Sequence, residues 1–347
     1  MSTFELAAYP LDVVRRKTLR LATRSAVLTR VLGRRDSRVA VFATLQIGVL
    51  FTLAVAAPVV MFFVGPAVLG VAHLAADTRY LVLRQRIPRG LIAVSVLAAV
   101  AIVALRALSV AHVIRIPVDA GELSIGAAWF LTALGFAARG RRALLRAALV
   151  ALAVAPLAWL ALTHVRAASL VMAHGHNLVA VAVWLFLYRR RLTWAAVPVL
   201  VLTLLAAVIL SGAIPLSAAP AFGTHLSSLG AGLAPGASIE TASRVAVLFV
   251  FLQGVHYATW LGWIPQDDLR TEGTLTFRMT VRGLLADFGA VGVALVTVVA
   301  LGFVLLSVYR VHEALTAYLT LARFHGWLEL AMLAFLFVRR NAAKSGA

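Results

Sequence analysis

The chain contains no cysteine. That excludes disulfides, iron–sulfur ligation, thiolate haem ligation and cysteine-based zinc sites, so any bound metal must sit on nitrogen and oxygen. Charge is scarce too: Asp, Glu, Lys and Arg make up 13% of the 347 residues, about half their share in soluble domains. Acidic residues are the rarer sign, 13 against 32 Lys and Arg, which leaves a formal net charge of +19. A surplus of that size can mark a nucleic-acid binder. Here the basic residues fall in short clusters between apolar runs and make no aromatic-interleaved basic face, so the pattern argues against nucleic acid as a partner. No cleavable leader is expected either: basic residues from Arg15 to Arg38 precede any apolar stretch, and no small-residue cleavage site follows promptly.

What the sequence has in abundance is apolar length. It is 62% hydrophobic, with a mean hydropathy of +0.97, which identifies a polytopic membrane protein. Apolar runs of about 18 residues or more fall at 39–56, 58–82, 90–108, 123–138, 143–163, 168–188, 194–213, 244–264, 286–308 and 316–338. In hydrocarbon each must be helical, because every backbone polar group has to be satisfied within its own segment. The fold class is therefore all-α, a transmembrane helix bundle of about ten spans. Residues 1–38 form a basic N-terminal segment, 39–338 a single membrane domain, and 339–347 a short basic tail. Within the first segment Leu11, Val14, Leu21, Leu28 and Leu32 interleave with Arg15, Arg16, Lys17, Arg20, Arg24 and Arg30. That interleaving predicts an amphipathic helix on an anionic lipid surface.

Orientation follows from Lys and Arg in short loops. Connections from odd to even spans carry few: Arg106 and Arg115, then Arg166, then Arg310, with an uncharged stretch from Ser211 to Ser238. Connections from even to odd spans carry Arg84, Arg86 and Arg89; Arg139, Arg141, Arg142 and Arg146; Arg189, Arg190 and Arg191; Arg270, Arg278 and Arg282. With the basic N-terminus and Arg339, Arg340 and Lys344 at the other end, both termini are expected in the cytoplasm, and the protein in a bacterial inner membrane. The uncharged stretch, rich in Gly, Pro, Ala and Ser, reads as irregular structure or a re-entrant cap, with His225 a polar loop residue. The acidic loop after span 8 reads as a connector in which Asp267 and Asp268 cap a short helix, and Trp260 and Trp263 as an interfacial aromatic belt or a channel wall.

Nine histidines occur, and five lie inside predicted spans. His73 is in "GVAHLAADTRYLV", His174 and His176 are in "VMAHGHNLV", His256 is in "FLQGVHYATWLGWIP" and His325 is in "LARFHGWLEL". All four segments are even-numbered spans running in one direction. Counted to the first charged residue at the far end of each span (Arg84, Arg189, Asp267, Arg339), the histidines stand 11, 13 or 15, 11 and 14 residues away. At helical rise that is roughly 16–22 Å, so they share a depth. His73 and Asp77 are i,i+4, and so are His325 and Glu329; each pair projects from one helix face. Ionisable residues at that depth are costly and normally face a protein interior with a partner. Neutral imidazole with carboxylate, and no thiolate, suits iron, with zinc or manganese also accommodated. His73, Asp77, His176, His256, His325 and Glu329 are thus the candidate metal ligands. His174 and His176 point about 200° apart, so at most one faces the site, and depth favours His176. His174, Asn177, Gln253 and Tyr257 are candidate supporting residues. Two plainer readings compete: histidines that only bond helix to helix, and an interfacial ion pair between Asp77 and the nearby Arg79.

The string "GVAHLAAD" resembles the first motif of the Brp/Blh family of membrane carotenoid dioxygenases, a Gly-x-Pro-His followed four residues later by Asp. Here Ala72 stands where the family has proline. The resemblance implies a polytopic enzyme with iron bound by His73, His176, His256 and His325, and with Asp77 in support. The desaturase pattern of HxxxH and HxxHH boxes is absent. The leading expectation is an O2-dependent membrane oxygenase or desaturase with non-haem iron, acting on an isoprenoid or acyl-lipid substrate that enters from the bilayer, with membrane lipids and a redox partner as associates. Two alternatives use the same residues: a proton-coupled transporter with a mid-membrane relay, and a bis-histidine haem protein, which leaves the paired carboxylates without a role.

The topology is directly testable. Reporter fusions at Gly236 and at the C-terminus should report opposite sides of the membrane; the same side for both would refute the assignment.

Overall fold

The computed structural model describes residues 3–269 and 273–339. The positions of Arg270, Arg340 and Lys344, used above for orientation, lie outside the described residues. Among the described residues fourteen α-helices occur in chain order: α1 (Thr3–Ala22), α2 (Ala26–Gly33), α3 (Arg35–Ala56), α4 (Pro58–Asp77), α5 (Arg89–Val110), α6 (Val118–Ala137), α7 (Arg141–Thr163), α8 (Val165–Val183), α9 (Leu192–Ser211), α10 (Leu226–Leu233), α11 (Ile239–Ala258), α12 (Ile264–Asp267), α13 (Phe277–Tyr309) and α14 (Val311–Arg339). Among the described residues ten helical segments are long and apolar enough to cross a membrane, and they coincide one for one with the ten predicted spans. The protein is an all-α polytopic membrane bundle.

Local chemistry sets the boundaries. The first two spans meet at Ala57, which leaves the helix (φ −144°, ψ 56°) before Pro58 opens α4. Proline lacks an N–H and disfavours helical geometry in the residue before it, so a chain break there is expected. The fourth span starts earlier than apolarity alone suggests, at Val118, since its acidic first turns find partners in Arg106. The ninth span, read as continuous from 286, is broken: α13 contains Gly289 at φ 69°, ψ 172°, outside helical geometry. Glycine tolerates that conformation because it has no Cβ. The stretch after Ser211 is not wholly irregular either, since α10 packs on α11.

The chain divides into two compact units, Met1–His73 with Val181–Tyr309, and Leu74–Ala180 with Arg310–Ala347. In the first, α11 is the most enclosed helix; it packs against α3, α9 and α10, while α1 lies along α13. Contacts between acidic residues of α1 and α13 fix this arm. Asp12 accepts from the amides of Phe277 (2.8 Å) and Arg278 (3.4 Å) and from Arg278 Nε (3.0 Å), and Glu5 pairs with Arg282. Asp12 is thereby the N-terminal cap of α13, the role expected of Asp267 and Asp268 for a nearby helix. Burial pushes its carboxyl up, but the Arg278 side chain, the two amides and the Arg278 charge hold it below the usual carboxylate range. Leu11, Val14 and Leu21 remain exposed.

In the second unit α14 is the enclosed helix and packs against α5, α6 and α7. Close approach depends on Gly126 of α6, where a Cβ would stand 2.1 Å from the indole of Trp327 on α14. Since a methyl group there would overlap the indole, Gly126→Ala should destabilise the protein by about 1–3 kcal/mol through overpacking. Thermal unfolding in detergent measures this, with Gly135→Ala, which meets nothing within 4 Å, as the near-neutral control.

Candidate metal centre

Two histidine-bearing segments of the first unit converge. His73, near the C-terminal end of α4, is fully buried and its ring centroid lies 5.3 Å from that of His256 on α11, also fully buried. Tyr257 stands 4.5 Å from His73, centroid to centroid. Gln253, His256 and Tyr257 occupy i, i+3 and i+4 of α11 and are all buried, so one stripe of this helix carries the imidazole and both supporting residues.

In the second unit the ring centroids of His176 on α8 and His325 on α14 are 5.0 Å apart. His176 is the member of the His174/His176 pair that reaches His325. The approach is possible because Gly326 follows His325: a Cβ there would lie 3.4 Å from His176 Cβ. Each ring has a nitrogen bonded to its own helix, His176 Nδ1 to the Met172 carbonyl (3.2 Å) and His325 Nδ1 to the Ala322 carbonyl. That holds the ring orientation and aims the other nitrogen, Nε2, away from the helix backbone. Asn177 is buried, with its amide nitrogen 3.4 Å from the Ala173 carbonyl. Histidines thus cluster inside the protein, His73 with His256 and His176 with His325.

Both candidate carboxylates, Asp77 and Glu329, are fully buried. Asp77 does not form the pair with Arg79 that sequence proximity offered; Arg79 turns instead to Tyr80, lying 5.2 Å over its ring. Neither oxygen of Asp77 has a hydrogen-bond partner among the described residues. Immediately after Asp77 the helix widens into a π turn, Thr78–Leu83. Similar turns follow α8 (Trp184–Tyr188) and α11 (Thr259–Trp263). Three of the four histidine-bearing helices therefore end in a rare geometry that recurs at functional sites.

Other residues take places that sequence reasoning did not give them. Trp260 and Trp263 are fully buried and are not an interfacial belt: Trp263 donates to Gln46 (2.8 Å) and stacks edgewise on Trp184. Asp267 is a buried acceptor for Trp184 Nε1 (2.8 Å) and Arg189 (3.0 Å), and Arg189 also reaches Asp36. In the second unit Glu122 accepts from Arg106 (2.7 Å) and from Arg323 (2.9 Å), and Arg323 also donates to Ser169. Arg323 stands two residues before His325 in an apolar run, a signal visible in sequence. His225 is an exposed residue preceding α10, as expected of a loop position.

No protein-family model matches this chain, and neither does any curated protein or solved structure compared with it. The donor set is what speaks to a ligand. A carboxylate with neither oxygen hydrogen-bonded, enclosed in a membrane span, is strongly disfavoured unless a cation or a proton neutralises it, and imidazole with carboxylate is a competent set for iron, zinc or manganese.

Asp77 offers a stability test. If its carboxylate serves a ligand and not the fold, Asp77→Asn should leave the unfolding temperature of the metal-stripped protein unchanged or raised, because it removes a burden of desolvation. A loss of several degrees in thermal unfolding would instead make Asp77 a structural residue.

Proposed function

We propose that the protein is an integral membrane metalloenzyme, an O2-dependent oxygenase or desaturase acting on an isoprenoid or acyl-lipid substrate. His73 and His256, which meet in the first unit, and His176 and His325, which meet in the second, act as the imidazole ligands. Asp77 and Glu329 supply the carboxylates. The observation that carries this reading is Asp77: a carboxylate enclosed in a membrane span, one turn from a buried histidine, whose oxygens bond to nothing among the described residues.

Charge balance supports the same set. Neutral imidazoles with two carboxylates bring two negative charges, which a divalent ion cancels; a neutral site is what a low-dielectric interior favours. Non-haem iron is the proposed ion, and its contribution when bound is activation of dioxygen at coordination positions the protein leaves open. The chain's own residues do the rest. The backbone bonds of His176 and His325 fix ring orientation, Tyr257 against His73 limits its movement, and Gln253 lies on the same stripe of α11 as a polar neighbour. The apolar spans around them admit a lipid-soluble substrate and exclude water. The resemblance of "GVAHLAAD" to the first motif of membrane carotenoid dioxygenases favours an isoprenoid over an acyl chain.

A proton-coupled carrier is the second reading, since a buried carboxylate without a bonding partner is also what a relay needs. Metal analysis of detergent-purified protein separates the two. Stoichiometric iron is expected. His73→Ala, His256→Ala and His325→Ala should each lose most of it, Asp77→Asn and Glu329→Gln should weaken retention by about tenfold or more, and His225→Ala should have no effect. Metal-free wild-type protein, or variants that misfold while retaining iron, would remove the enzyme reading.

A further inference from the structure

A cavity of about 260 Å³ lies in the first unit where the N-terminal arm meets the start of α3. Its walls come from α1 (Arg15, Leu19), α3 (Arg38, Phe42, Leu45) and Gln266 in α12, among others. We propose that it is a binding site for one anionic phospholipid, which takes the headgroup beside Arg15 and Arg38 and lets the acyl chains run out along Phe42 and Leu45.

The polar end of the cavity is built for an anion. Arg38, one of the lining residues, is buried and donates to the carbonyls of Leu32 (2.8 Å) and Gly273 (3.1 Å), which fixes its guanidinium in place. Arg15 is held by Thr274 Oγ1 (2.6 Å); its nearest carboxylate is Asp12, 3.7 Å away and already bonded to Arg278 and two backbone amides. Planar guanidinium groups bond phosphate oxygens through two N–H donors at once. Gln266 also lines the cavity, and its buried Oε1 has no hydrogen-bond partner among the described residues. Around this end Arg16, Lys17, Arg20 and Arg24 add exposed positive charge, which attracts anionic lipid over neutral lipid.

The other end is apolar and open. Phe42 and Leu45 are 41% and 64% exposed, and they lie in the second and third turns of a membrane span, the depth at which acyl chains begin below a headgroup. The cavity is smaller than the usual drug-sized pocket, enough for a phosphate and the glycerol end of the chains, with the remaining chain length outside in lipid. A soluble anion would gain nothing from that half of the site.

The test is native mass spectrometry of the full-length delipidated protein, titrated with phosphatidylglycerol or with phosphatidylcholine of the same chains. One phosphatidylglycerol should bind about tenfold more tightly than phosphatidylcholine, and Arg15→Gln should remove about that factor, the size expected for one charge-assisted bond. Leu19→Trp should block binding by filling the cavity while both arginines stay in place. Unfolding temperature and metal content, unchanged, would show that the variants are folded and that the metal-binding residues are separate. Equal binding of the two lipids, a folded Leu19→Trp variant that binds normally, or displacement by millimolar inorganic phosphate would each overturn the proposal. Should either variant misfold, the comparison of the two lipids on the wild-type chain decides.

Discussion

Hydrocarbon tolerates an ionised group only where the protein supplies a counter-charge or enough hydrogen bonds, and the arrangement of charge inside this protein follows from that demand. Arg189 and Asp267, both with fully buried side chains, satisfy each other and recruit Trp184 and Asp36. Glu122 shares one oxygen between Arg106 and Arg323. Pairs of this kind add little net stability compared with apolar residues, but losing one partner strands the other at several kcal/mol. They fix which helices must lie together and in which register. Asp77 stands apart from this pattern, and a group left uncompensated by the fold is the natural place to look for a ligand.

The helices that bring functional groups inward are also the enclosed ones. In each unit the most buried span carries a histidine, α11 with His256 and α14 with His325. Enclosure is achieved with small residues at the contacts: Gly126 lets Trp327 lie flat on α6, and Gly326 gives His176 room beside His325. By contrast α7 and α13 have almost no buried residues, as spans that face lipid would. The π turns after α4, α8 and α11 add one residue to a turn, which shifts the side chains on either side of it relative to a regular helix. Those turns begin within about two helical turns of the candidate ligands, so they influence how the following residues, Trp184 and Trp260 among them, are placed.

The N-terminal arm shows a different use of charge. Its acidic residues Glu5 and Asp12 face α13 and are consumed in holding the arm, while its basic residues are largely left exposed. An interleaved sequence of apolar and basic residues is enough to predict a surface helix; only the pairing of Glu5 and Asp12 with α13 explains why the arm lies against that helix and not elsewhere.

Residue order by itself determined the helical class, the ten spans and the residues worth suspecting. Each span must satisfy its backbone internally, so apolar length reads directly as helix, and a break such as Ala57–Pro58 is set by the local chemistry of proline. Order also fixed that His73 and Asp77, or His325 and Glu329, share a face, because 3.6 residues per turn relates positions on one helix. It could not relate positions on different helices. That His73 meets His256, that His176 meets His325, that Trp263 is buried and that Asp267 serves Arg189 were decided by tertiary packing. Rotating a helix by one residue turns its side chains by about 100°, and only neighbouring side chains choose among those rotations.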